Sequence, residues 1–159
     1  MGNEYAPMNT IDLLRQSAPG LASLIENTGE SKLRGVAAVV AQAIVSRTGL
    51  SHPAVDRALA QLPAAAIPDA DLQASVQAAV EELDEQYFAL KEPLEEREDA
   101  GKDDPEVSMA FSRARAASAV AAALGEDARE AAISAAYEAV SATDDSDYLT
   151  DAVKRALAI

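Results

Sequence analysis

Apolar residues recur along this chain at spacings of three and four, the signature of helices that bury one face. The clearest stripe is Leu72, Val76, Val80, Leu83, Tyr87 and Leu90, which predicts a long helix from Pro68 to about Leu90. Four shorter helices are expected before it. Ile11–Gln16 follows the cap residue Thr10, and Leu21–Asn27 carries Leu21, Leu24 and Ile25 and ends at Gly29. A stronger helix over 32–47 opens at Ser31 and presents Leu33, Val36, Val39, Val40, Ala43 and Ile44. The fourth, 52–62, is capped by Ser51, has Pro53 in its first turn and closes at Leu62-Pro63.

After the long helix, Pro93 predicts a short helix over 94–99 and Asp104-Pro105 opens another over 106–124. That second helix turns Val107, Phe111, Ala114, Ala117, Ala121 and Leu124 inward. Asp127 with Glu130 forms a capping box for 128–141, whose seam is Ile133, Ala136, Tyr137 and Val140. Ser146 or Asp147 caps the last helix, which buries Leu149, Ala152, Val153, Ala156 and Leu157. Residues 1–9 read as frayed, and 64–67 and 100–104 as connectors. No segment reads convincingly as a strand. The expected fold is all-α: a single compact multi-helix domain over residues 10–159, with about six main helices, antiparallel αα-hairpins and no sheet.

Composition changes the kind of core to expect. Of 159 residues 37 are Ala, with only 2 Phe, 4 Tyr and no Trp, so Leu, Val and Ile must pack against closely approaching Ala-lined helices. The chain has no Cys and one His, which excludes disulfide scaffolds, thiolate catalysis, Cys/His zinc sites and orthodox Ser-His-Asp triads. His52 follows Ser51 at a helix start, and Asp56 is within reach of it; a surface role is the expectation. No catalytic residue, metal ligand or cofactor is predicted, and the chain is read as not an enzyme.

Charge supplies the one asymmetry. The net charge is -14, and residues 69–106 alone account for -11. Such a surface repels nucleic-acid backbones and anionic membranes, so neither is an expected partner. No positive leader segment or membrane-length apolar run is visible, and a cytoplasmic location is the expectation. Seven acids fall within residues 95–106, but Asp99, Gly101 and Asp103 lack calcium-loop order. Glu81, Glu82, Asp84 and Glu85 read as a solvent face, because a di-metal bundle needs more histidine than this chain has. Arg113 is expected to pair with Glu130 or Glu138.

Tyr87 and Phe88 are adjacent and cannot both face one core, so one of them stands among the acids, as recognition hot spots often do. The candidate partner-binding residues are therefore Glu81, Glu85, Phe88, Glu95, Glu96, Asp99, Asp103 and Asp104, facing a basic protein. In size, acidity and helical build the chain resembles the immunity proteins with which bacteria neutralise nuclease toxins, without a shared motif. That resemblance implies an inhibitor whose 81–106 region covers a basic active site. The alternative is a structural or regulatory domain acting through homo-oligomerisation, a homodimer being the simplest form.

Overall fold

The structure, a computed structural model, is described over residues 9–62, 69–95 and 104–158, with the backbone alone for 94 and 95. Eight helices account for nearly all of these residues: α1 (Thr10–Ser17), α2 (Pro19–Glu26), α3 (Glu30–Thr48), α4 (Pro53–Gln61), α5 (Ala70–Glu95), α6 (Pro105–Ala123), α7 (Ala128–Ser141) and α8 (Ser146–Leu157). The architecture is all-α, with no strand among the described residues.

Except for α3, the helices start at a side-chain acceptor or a first-turn proline, often one residue from the expected one. Asn9, not Thr10, caps α1, its Oδ1 accepting from the Asp12 amide at 3.1 Å. Asn9 has the extended backbone that a cap requires and a carbonyl oxygen aimed at the first turn. Gly29 does not terminate α2 but serves as the extended N-cap of α3. At the other end of α3, Gly49 takes a φ of 69°, the left-handed conformation that stops a helix with least strain in glycine. His52, not Ser51, caps α4, with Nδ1 accepting from the Ala54 amide at 3.2 Å. Asp69 caps α5 through the Asp71 amide at 2.8 Å, Asp127 caps α7, and Asp145, rather than Ser146 or Asp147, caps α8.

Pro93 behaves differently from its expected role. It lies inside the last turn of α5, which runs on to Glu95, and starts no separate helix. An interior proline costs one helical hydrogen bond and crowds the preceding turn. Here the orphaned carbonyl belongs to Ala89, which is exposed and can turn to water. The expected 94–99 helix beyond Glu95 lies outside the described residues, as do positions 1–8, the 64–67 connector and 100–103.

Helices α3, α6 and α7 pack on one another and form the centre. Around them α5 lies along α6, α1 on α7, α8 on α3 and α2, and α4 against α5. This explains why single seams underestimate the burial of the central helices. In α6, Ala114, Ala116, Ala117, Ala119, Val120 and Ala123 are buried, a set that wraps round the helix because partners flank it on several sides. In α7 the buried set is Ala131, Ala132, Ile133, Ala135, Ala136 and Ala139. Alanine permits this close approach, while Leu14, Leu21, Ile25, Leu33, Ile44 and Leu149 supply the bulk.

Polar ties close the frame. Gln73 donates from Nε2 to the Leu124 carbonyl at 2.7 Å and so satisfies the end of α6. Arg34 donates to the Glu126 carbonyl, joining α3 to the α6–α7 turn. Arg15 grips Glu26 with two hydrogen bonds of 3.0 and 2.7 Å and so clasps α1 to α2. No helix of the described residues is long and apolar enough to cross a membrane.

Candidate functional site

Burial changes abruptly along α5. Leu72, Val76, Ala79 and Val80 belong to the core, but no described residue between Val80 and Ala114 does. The apolar stripe continues with Leu83, Tyr87 and Leu90, yet these are only half-buried. The three exposed large hydrophobics among the described residues, Phe88 at 56%, Met109 at 49% and Phe111 at 37%, all fall in this interval. Phe111 therefore does not face inward as its spacing suggested. Its neighbours on the first two turns of α6 are exposed or half-buried, because the fully buried positions of α6 begin only at Ala114.

The helical period arranges the charged side chains. Glu81, Glu85, Phe88 and Glu92 stand at i, i+4, i+7 and i+11, so they share one strip of α5, and all four are exposed. Phe88 thus sits in a row of carboxylates. On its flank the Tyr87 ring meets Phe88 at 5.2 Å and Phe111 at 5.3 Å, the latter edge to face. Lys91 places its Nζ 5.6 Å from the Tyr87 centroid.

A cleft of about 320 Å³ opens between α5, α6 and α7 beside this cluster. Tyr87, Phe88, Phe111 and Tyr137 are its aromatic walls, and Asp84 and Glu138 its carboxylates. Arg115 bridges those acids, from Nη2 to Asp84 Oδ1 at 3.1 Å and from Nη1 to Glu138 Oε2 at 3.0 Å. Its guanidinium carbon also lies 6.0 Å from the Phe111 centroid. The cross-helix pairing expected of Arg113 thus belongs to Arg115. Arg115 points to the groove between α5 and α7, while Arg113, on another face of α6, has its Nε buried without a hydrogen-bond partner among the described residues.

The remaining candidates sort as follows. Glu81, Glu85 and Phe88 come together on α5. Asp104 caps α6, accepting from the Glu106 and Val107 amides at 2.8 and 3.2 Å. Glu95 is the last residue of α5, and Glu96, Asp99 and Asp103 lie outside the described residues. Spacing alone did not identify Asp84, Arg115, Tyr137 and Glu138 as a group, because they come from three helices.

His52 is engaged on both ring nitrogens. Nδ1 accepts from the Ala54 amide, and Nε2 stands 3.2 Å from Glu82 Oε2. An unprotonated Nδ1 puts the ring proton on Nε2, which donates it to Glu82. Asp56 is not its partner; the Asp56 amide bonds the His52 carbonyl instead. Among the described residues no three or more His, Asp or Glu side chains converge as a metal site.

The chain matches no protein-family model, no curated protein and no solved structure.

Proposed function

We propose that this chain is a non-catalytic binding domain whose α5–α6 end engages a basic protein, in the manner of an inhibitor or immunity protein. The observation that carries the reading is the coincidence of the uncovered aromatics with the acidic strip. Among the described residues all three exposed large hydrophobics lie between Val80 and Ala114, the stretch that also holds Glu81, Glu85 and Glu92. Exposed apolar surface rimmed by one sign of charge is a recognition surface: the aromatic centre supplies affinity, and the charge steers association and selects the partner. A cytoplasmic setting belongs to the same proposal.

The same aromatics fit self-association, but a homodimer through this face would bring two rows of carboxylates together, and like charges oppose it. The test is capture at low salt from a lysate of the source cell, elution with rising salt, and reconstitution with the purified partner. The expected partner is basic, binds at 1:1, and loses at least about tenfold in affinity to the double variant Glu81→Lys/Glu85→Lys and to Phe88→Ala. Unchanged affinity in both variants rejects this face. A chain that sediments as a dimer, and as a monomer once Phe88 is changed, replaces the proposal with the homo-oligomer.

A further inference from the structure

The cleft beside the acidic strip has a more specific character than the strip itself. It is walled by four aromatic rings and carries two carboxylates against one guanidinium, leaving one negative charge unmatched inside it. Arg115 uses one oxygen of Asp84 and one of Glu138, so each carboxylate keeps its second oxygen as an acceptor. At about 320 Å³ the cleft is at the small end of ligand sites and suits one side chain rather than a larger molecule.

We infer that this cleft receives a single arginine side chain from the basic partner, its guanidinium lying against the Phe111 and Tyr87 rings and pairing with the free oxygens of Asp84 and Glu138. Arginine fits better than lysine for two reasons. Its planar, weakly hydrated head stacks on aromatic faces, and its fork donates to two acceptors at once. Arg115 already shows that this environment holds a guanidinium between the same carboxylates and close to the same ring. The guest supplies the missing positive charge, so the set becomes two carboxylates and two guanidiniums. Lys91 holds its Nζ 5.6 Å from the Tyr87 centroid and is not among the residues that line the cleft. This inference deepens the docking proposal and rests on it.

The experiment titrates the full, isotopically labelled chain with three short peptides that differ only in carrying arginine, lysine or citrulline, followed by amide shifts. The arginine peptide should move Tyr137, Glu138 and Ser141 on α7 as well as Tyr87 and Phe111. It should bind at least about threefold more tightly than the lysine peptide, and citrulline should not saturate. Ser141→Trp fills the cleft from the exposed end of α7 and should remove the preference for arginine. Phe111→Leu removes a wall without adding bulk and should weaken it. Thermal melts establish that both variants fold. Equal affinity for arginine and lysine, with shifts confined to Glu81, Glu85 and Glu92, overturns the cleft while leaving the acidic docking face intact. Binding of the whole basic partner that is unchanged in both Glu81→Lys/Glu85→Lys and Phe88→Ala overturns the docking face instead.

Discussion

Two parts of one helical hairpin carry the same pattern and meet opposite fates. In the part nearer the core, Leu72, Val76 and Val80 of α5 lie against the buried alanines of α6, from Ala114 to Ala123. Beyond Val80 the stripe continues at the same period through Leu83, Tyr87 and Leu90, but all three are only half-buried, and of them only Leu83 still packs against the core. The first part is held by apolar burial. The second is held by polar and aromatic ties: His52 to Glu82, Arg115 to Asp84 and Glu138, and Tyr87 to Phe111. A helical period tells which side chains share a face; it does not tell whether anything covers that face. Where a neighbour covers it the stripe is core, and where none does it is a surface available to a partner.

The sharpest way to break this comparison is to truncate one residue from each part. Leu72→Ala removes a side chain that is only 6% exposed and should cost roughly 2–5 kcal/mol in urea unfolding. Phe88→Ala removes a larger side chain that is 56% exposed, and should cost less than about 1 kcal/mol, chiefly its contact with the Tyr87 ring. Similar losses at the two sites would make the distal hairpin part of the core and deprive the docking proposal of its surface.

The ties of the distal part come next in size. Arg115 stands between two carboxylates and is about a quarter exposed, at 26%. Arg115→Ala leaves Asp84 and Glu138 as partly desolvated like charges, so a loss of about 1–2 kcal/mol is expected. Adding Asp84→Asn and Glu138→Gln should recover most of it, since the stranded charges, rather than the missing bond, carry the cost. A triple variant as unstable as Arg115→Ala would point instead to lost packing of the arginine stem on Phe111.

These contrasts also show what a linear sequence can reveal. The all-helical class was legible because the apolar spacing, the prolines at Pro53 and Pro105 and the glycine at Gly49 agree with one another. The exposed ring of the Tyr87-Phe88 pair was legible because two adjacent helical residues cannot share a face. The cleft was not, because Asp84, Arg115 and Glu138 belong to three helices whose mutual rotation is set by alanine packing that leaves no periodic trace. Arg113 and Arg115 are two residues apart on α6 and so point in very different directions; composition treats them alike, and only the positions of α5 and α7 separate them. The partners of His52 are hidden in the sequence for a related reason. Its ring caps α4 and reaches Glu82 on α5, a contact that Asp56, close in sequence, cannot report.

The smallest predicted effect calibrates the ion pairs of the distal part against one far from it. The clasp between Arg15 and Glu26 joins α1 to α2, with the arginine side chain 49% and the glutamate 30% exposed. The hydrogen bond from Arg15 holds the Glu26 carboxyl below its ordinary value of 4.5, opposed by partial desolvation and reinforced by the nearby positive charge. A carboxyl lowered in the folded state stabilises the fold above its unfolded pKa, and that contribution fades as pH falls through the lowered folded value. The chain should therefore lose a small increment of stability in acid below about pH 4.5, and Glu26→Gln should lack that increment. Paired urea titrations across that window measure it. Raising the salt to about 1 M should shrink the Glu26 increment more than the penalty of Arg115→Ala, because screening acts most strongly on charges in contact with water. Equal salt sensitivity would mean that the Asp84–Arg115–Glu138 set is as well solvated as the surface clasp. The cleft would then lack the sheltered electrostatics that a stacked guanidinium needs.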